Sequence, residues 1–405
     1  MIVRAAEPDE YPEIYAMVDK AFKPSTIEHT IIDITTRKDH NFQRGDLRVV
    51  EADGKIVSMM MLIRRPLRIG TAIVNGALVA PVATHPDFQR KGYCSAVMRD
   101  AVRYMETQRF DITILWGIPW LYPRYGYSPA MVKTEIAIRP TQNSAPEKNP
   151  CKCRTFTETD LEPMTQIYHN NTATRTCAEI RAPEMWEWTP GGPGVQLEVF
   201  TDKKDDVIGY CALGTDWTSR PCAHEIGVSN DTACEAVFNS LVETCREKEL
   251  TEFPCVMHPD HPFARFAFWR GGEIRIRSGG GAGMARVIDL VSLVTKMEKA
   301  FERRLHHSEF HNLEYALKIS CEEKLIVLHV NGGQVSVSTD RVKGDDHLDI
   351  PLVSLNPLIT GYKGIKELVK NPQIRVKGGK QVVRLIEVLF PPGFPFGGLP
   401  PLVWE

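Results

Sequence analysis

Residues 82–95 read Val82-Ala83-Thr84-His85-Pro86-Asp87-Phe88-Gln89-Arg90-Lys91-Gly92-Tyr93-Cys94-Ser95. An apolar strand end runs into a short turn, and Gln-x-x-Gly-x-Cys then opens a helix. A glycine turn at a helix start aims several backbone N–H groups in one direction. At the positive end of the helix dipole, such a nest holds pyrophosphate well. Arg90 and Lys91 add positive charge beside it. The stretch points to a nucleotide-like ligand rather than to a metal or to nucleic acid.

Working outward, Tyr93 to Glu106 carries Val97, Ala101, Val102 and Met105 at helical spacing, and Asp111 to Trp116 is a short apolar strand. Upstream, Leu47–Ala52 and Lys55–Ile63 read as a hairpin turning at Asp53-Gly54. Ala72–Val82 reads as a strand broken at Asn75-Gly76, and residues 1 to about 40 as helical, with Glu7, Asp9 and Glu10 near a helix start. This alternation of helix and strand predicts an α/β sheet domain.

The polar connector Asn143–Pro150 is a boundary candidate. Beyond it come a helix start near Thr159–Glu162, strands at Val195–Phe200 and Val207–Leu213, and an amphipathic helix over Ala233–Lys248. The element order of the first domain repeats, without a Gln-x-x-Gly turn. Ser278–Gly283 is a third break. After it, Met284–Leu290 reads as strand and Val291–Leu305 as helix. Leu325–Val330 and Gln334–Ser338 form a hairpin through Asn331-Gly332-Gly333. Residues 391–401 are rich in Pro and Gly.

The 405 residues allow two or three domains, and 43% hydrophobic with 25% charged residues is ordinary globular usage. Net charge is −2, from 49 Lys+Arg against 51 Asp+Glu, which gives no support for nucleic-acid or polybasic membrane binding. No apolar run reaches membrane-span length, and residues 1–10 lack the apolar core of a signal peptide. Ten scattered cysteines, with Cys151-Lys-Cys153 as the only close pair, predict free thiols packed as small apolar groups in a cytoplasmic protein without zinc.

Other motifs take plainer readings. Gly279–Gly283 precedes a strand-like segment rather than a helix, so it fails the context of a dinucleotide fingerprint and reads as a linker. His258-Pro-Asp-His261-Pro reads as a surface turn rather than a metal loop. Trp186, Trp188, Trp217 and Trp269 read as core or interface packing.

A second motif stands after the strand ending at Trp116: Pro119-Trp-Leu-Tyr122-Pro-Arg-Tyr125-Gly126-Tyr127. With the Gln89 turn it resembles the GNAT (GCN5-related N-acetyltransferase) superfamily. There an Arg/Gln-x-x-Gly-x-Gly/Ala turn holds the coenzyme A pyrophosphate, and Tyr-x-x-x-Gly-Phe/Tyr follows a later strand. Cys94 departs from the usual small residue. Further stretches are similar to the Eis (enhanced intracellular survival) acetyltransferases: Ile167-Tyr168, Arg181–Trp186, Pro259–Pro262, Met284–Asp289, Gly361-Tyr362 and the Phe390-Pro-Pro tail. The resemblance spans essentially the whole chain. It implies an α/β (α+β) protein with three parts: a catalytic GNAT domain (1–145), a second GNAT-like domain without the cofactor turn (146–283), and a sterol-carrier-protein-2-like domain (284–405) supplying the C-terminus. It also implies a homo-oligomer, family members often being hexamers.

On matching positions, the resemblance places acetyl-CoA along the backbone of Val82, Ala83 and Thr84, with Arg90, Lys91, Gly92, Tyr93, Cys94 and Ser95 around the pyrophosphate. Direct transfer to an amine needs a proton acceptor and stabilisation of the departing thiolate. The resemblance makes Tyr122 the acid and the C-terminal carboxylate of Glu405 the base; the Glu405 side chain offers a second carboxylate. An α-carboxyl titrating near ~3.5 is a feeble base unless desolvated. The apolar run Leu399–Trp404 is unlike a free tail. Tyr122, a phenol near ~10 beside a thiol near ~8.5, would donate to the sulfur. The expected acceptor is a small-molecule or lysine amine. A non-catalytic acyl-CoA or lipid carrier and an acetyl-CoA sensor are the alternatives.

Overall fold

The computed structural model describes residues 1–25, 27–140, 151–182, 195–216, 219–277, 283–340 and 346–395. It is mixed α/β with three sheets, and it divides into two compact units, one of residues 1–131 with 280–395 and one of residues 132–279.

The first unit begins with strand β1 (Ile2–Ala5), not helix, and β1 pairs antiparallel with β2. Helices α1 (Tyr11–Ala21) and α2 (Ile27–Lys38) follow, then β2 (Leu47–Ala52), β3 (Lys55–Ile69) and β4 (Ala72–Thr84). Asp53 (φ 53°) and Gly54 (φ 71°) are both left-handed, as a tight two-residue hairpin demands. β4 runs unbroken through Asn75-Gly76. Gly76 pairs with Arg65 on one side and Ile112 on the other, and the space a Cβ would need is filled by the Leu67 side chain at 2.5 Å. This glycine marks close packing inside a strand rather than a turn.

Helix α3 (Tyr93–Thr107), β5 (Ile112–Trp116) and the short β6 (Ser128–Pro129) complete this stretch. α3 buries Ala96, Val97, Met98, Ala101 and Met105, one apolar face at helical spacing.

The second unit holds β7 (Lys133–Ile138), β8 (Lys152–Thr155), α4 (Leu161–Thr172), β9 (Gln196–Thr201), β10 (Val207–Thr215) and β11 (Pro221–Val228). Then come α5 (Asp231–Glu247), β12 (Phe253–Val256), α6 (Pro262–Trp269) and β13 (Glu273–Arg277). Its sheet order is β13-β7-β12-β11-β10-β9-β8. The His258–Pro262 loop is a turn whose two histidines are buried while Asp260 and Pro262 stay exposed. His261 sits at the N-cap of α6, where its Nδ1 accepts from the Phe263 N–H at 3.1 Å and its Nε2 lies 3.2 Å from Asn171 Oδ1. Burial pushes its pKa down to about 3, so the ring stays neutral. Trp269 is 81% exposed, so it does not pack in the core of this chain; Trp186, Trp188 and Trp217 lie outside the described residues.

The chain then re-enters the first unit with β14 (Gly283–Val287), α7 (Leu290–Lys296) and α8 (Glu298–His306). β14 pairs with β5 and β6, giving the order β1-β2-β3-β4-β5-β14-β6. A third sheet follows, from β15 (Glu314–Cys321), β16 (Lys324–Asn331), β17 (Gln334–Ser338), β18 (His347–Asp349) and β19 (Arg375–Lys377). It is flanked by α9 (Leu352–Thr360), α10 (Ile365–Leu368) and α11 (Gly379–Leu389). Seven of the ten cysteines are buried free thiols. Among the described residues, no helix is long and apolar enough to cross a membrane.

One edge of the second sheet is stitched by charge. Arg275 on β13 grips Glu252 with two bonds of 2.7 Å and lies 3.3 Å from Glu135 on β7, while Arg139 bonds Glu273 at 2.6 Å. These hydrogen bonds hold the Glu252 pKa down at about 2. A depressed carboxylate contributes stability above its ordinary value of ~4.3, and loses it as pH falls toward the folded value. Urea denaturation between pH 5 and pH 2 should therefore show stability dropping, and Glu252→Gln should flatten that drop. Equal acid sensitivity of the two chains would rule the pair out as a source.

Candidate active site

The strands β4 and β5 pair in parallel at Gly76–Ile112, Ala77–Thr113 and Leu78–Ile114, and pairing ends there. From Val79 onward β4 keeps β3 as a neighbour, out to Thr84–Ser58. Its other edge has no strand partner among the described residues. Between Met60–Val82 and Leu62–Val79 the register slips by one residue, an extra residue on β4 at Ala80-Pro81. A bulge of this kind bends a strand and re-aims its edge. The unpaired end of β4, Val82-Ala83-Thr84, is thus a backbone edge able to accept an extended chain. Ser58 fixes it from behind: its hydroxyl donates to the Ala83 carbonyl at 2.8 Å and lies 2.8 Å from Thr84 Oγ1.

The chain next turns into α3. Arg90 (φ 61°) and Gly92 (φ 87°) are both left-handed, and residues 89–92 are exposed. A Cβ on Gly92 would meet nothing within 4 Å, so the position needs glycine for its backbone angle and not for space. Gly92 is the N-cap and provides no side-chain cap. The helix's first bond runs from Ala96 N–H to the Gly92 carbonyl at 3.0 Å, which leaves the amides of Tyr93, Cys94 and Ser95 directed out of the helix end. The matching helix of the second unit, α5, is built differently. Asn230 caps it, its side chain accepting from Ala233 N–H at 2.9 Å. One helix end is left open to an anion and the other is closed by its own sequence.

Tyr122 lies on the 3-10 turn Tyr122–Tyr125, which ends at left-handed Gly126. Its ring is 8% exposed and belongs to one apolar cluster with Val79 and Leu115, against which Val82, Tyr93 and Cys94 also pack. The strand end, the helix start and Tyr122 thus converge. Gly117 makes room for the ring; a Cβ there would collide with it.

The three tyrosines of the motif differ in how their hydroxyls are used. Tyr125 donates to Ser95 Oγ at 2.8 Å, and Tyr127 bonds Thr113 Oγ1 at 2.8 Å. The Tyr122 hydroxyl has no hydrogen-bond partner among the described residues. Burial, with the nearby Cys94, raises its pKa above the ordinary phenol value. Burial also pushes the Cys94 thiol up, so it stays protonated and non-nucleophilic at neutral pH. Arg90 and Lys91 flank the open helix end, Lys91 Nζ lying 4.9 Å above the Phe88 ring. Glu405 lies outside the described residues.

Two residues to which the sequence assigned no site role hold the tyrosine turn. Asn356 on α9 is fully buried. It donates to the Gly126 carbonyl at 2.9 Å and to Ser128 Oγ at 3.1 Å, and accepts from Val287 N–H at 2.9 Å. Arg286 on β14 donates to the Tyr125 carbonyl at 2.8 Å. The available signal was an asparagine inside the apolar run Leu352–Thr360, since a buried amide needs partners.

The comparisons with known proteins agree with this geometry. Residues 2–130 match the acetyltransferase (GNAT) domain family. The chain carries a GNAT acetyltransferase domain. It is an enzyme domain that uses acetyl-CoA, and the parted strands with the open helix end lie inside it. Among solved structures, a GCN5-related N-acetyltransferase from Anabaena variabilis aligns at TM-score 0.76 and 12% identity, covering 98% of this chain and 99% of that one. A conserved protein from Enterococcus faecalis, described as a probable N-acyltransferase, aligns at 0.76 and 14%, covering 97% and 98%. Eis1 from Mycobacterium abscessus aligns at 0.67 and 14%, covering 98% and 100%. At these identities the likeness establishes the fold, α/β with tandem GNAT-like sheets. No curated protein matches the chain in sequence.

The second unit has a cavity of about 50 Å³ where β11 and β12 part, after their single pair Ala223–Cys255. Tyr168, Tyr210, His224 and Glu225 line it. It has room for a few waters and not for a coenzyme arm.

Replacing Asn356 with Ala strands three partners, two of them buried, and should cost about 2–4 kcal/mol in stability. Chemical denaturation measures it, and a loss under about 0.5 kcal/mol would mean the turn is held some other way.

Proposed function

We propose that the chain transfers an acetyl group from acetyl-CoA to a primary amine, as a member of the Eis-type acetyltransferases. The observation that carries this reading is the convergence on one apolar cluster of an unpaired strand edge, an open helix end and a tyrosine whose hydroxyl is unspent. Bound acetyl-CoA supplies the acetyl thioester. The backbone of Val82, Ala83 and Thr84 holds the extended arm. The amides of Tyr93, Cys94 and Ser95 hold the pyrophosphate, with Gly92 shaping the turn and Arg90 and Lys91 adding charge.

Tyr122 donates a hydrogen bond to the sulfur. A free phenol near ~10 is already a weaker acid than a thiol near ~8.5. Burial moves Tyr122 further in that direction. Full proton transfer to the thiolate is therefore uphill, and a hydrogen bond is the cheaper way to stabilise the leaving group. The terminal carboxylate of Glu405 is the base in this reading. The acceptor is a small-molecule amine or a lysine side chain. The third sheet with its helices is the sterol-carrier-like part that delivers the C-terminus.

Acyl-lipid carriage is the second reading. A groove of about 910 Å³ beside α11, with Ile374, Val376 and Val388 along it and Lys366, Lys380 and Arg384 among its charged lining, favours it. A fluorescent fatty acid that binds there, together with a chain that fails to discharge acetyl-CoA onto any amine, would turn the conclusion to carriage.

A panel of small amines and lysine peptides, with free thiol release as the readout, tests the main reading. Tyr122→Phe should lower kcat about 10- to 1000-fold with little change in KM for acetyl-CoA. Full activity would reduce Tyr122 to packing. One residue added after Glu405 should abolish turnover and leave acetyl-CoA binding intact; unchanged turnover would remove the terminal carboxylate from the mechanism.

A further inference from the structure

A groove of about 430 Å³ lies beside the tyrosine turn, between α3 and the segment around Leu352. Three arginines border it: Arg99 on α3, Arg124 on the turn and Arg286 on β14, with Glu322 as the one acid. Val102, Pro123 and Leu352 give it an apolar wall. Tyr125 lines it too, and the Tyr125 hydroxyl bonds Ser95 in the first turn of α3. The groove and the open helix end therefore share a wall. Arg99 follows Ser95 by four residues, one turn or about 6 Å along the same face.

Solvated surface arginines are common, but Arg99 and Arg124 differ from three others of the same domain. Arg48, Arg64 and Arg65 in the same domain are each ion-paired, to Asp100, Asp46 and Asp39. Among the described residues, Arg99 and Arg124 have no carboxylate partner. Arg90, beside the helix end, has none either. In a chain of net charge −2, this leaves a run of uncompensated positive charge from the helix end into a concave groove. A phosphomonoester carries nearly two negative charges at neutral pH, and planar guanidinium forks match its oxygens.

We propose that this groove takes the 3′-phosphate end of the acetyl-CoA nucleotide. Arg99 and Arg124 pair with the phosphomonoester, and the apolar wall gives the base a dry side. The inference rests on the acetyl-CoA reading above and adds a second anion site to it. Arg286 is largely spent on the Tyr125 carbonyl and sets the floor of the groove.

The test is calorimetric titration of the full chain with coenzyme A and with 3′-dephospho-coenzyme A, for wild type and for an Arg99→Ala, Arg124→Ala double variant. Wild type should bind coenzyme A about tenfold or more tightly than the dephospho form, the scale of one or two charge-assisted bonds. The double variant should bind both at the dephospho level, and that retained binding shows it is folded. A wild-type preference below about twofold, or a preference the variant keeps, overturns the proposal. If wild type binds neither compound, the acetyl-CoA reading itself falls.

Discussion

The site depends on two neighbouring strands that stop pairing. A backbone edge left without a partner is costly inside a protein and is normally covered. β4 carries such an edge from Val79 to Thr84, after its last pair with β5 at Leu78–Ile114. An extra residue at Ala80-Pro81 turns the strand at that point. Everything else in the candidate site is placed by this gap. The chain leaving it enters α3 through left-handed Arg90 and Gly92, and the chain leaving β5 returns through Gly117 to bring Tyr122 beside Cys94.

The second unit shows the same element order put to another use. Its corresponding strands barely pair and the space between them is nearly filled. Arg181, buried against Glu225 at 2.9 Å and 4.0 Å from the Tyr168 ring, with Tyr210 donating to the same carboxylate at 2.8 Å, occupies that interior with structural polar groups. Asn230 closes the helix end that Gly92 leaves open in the first unit. One asparagine against one glycine separates a self-satisfied helix start from one that is free for a ligand.

Much of this was legible in the sequence because it is local. The Gln89–Ser95 turn, the α3 periodicity and the Asp53-Gly54 hairpin all depend on residues close in the chain. What was not legible depends on sheet membership. Met284–Leu290 reads as strand from its residues, but nothing local says that β14 joins the first sheet while β7 joins the second. Gly76 read as a break because a glycine's reason can be a packed leucine rather than a turn. His258 and His261 read as surface because prolines flank them, while their burial is set by tertiary packing. Asn356 was invisible as a site residue because its partners, at 126, 128 and 287, are distant in sequence.

Amide hydrogen exchange with and without coenzyme A tests the account at its centre, since the claim concerns backbone groups. Coenzyme A should slow exchange at Val82–Thr84 and at Tyr93–Ser95, and leave Asn230–Cys234 at the α5 start unchanged. Protection absent from the first two segments, or appearing at the α5 start, would contradict the assignment of the parted strands and open helix end as the coenzyme site.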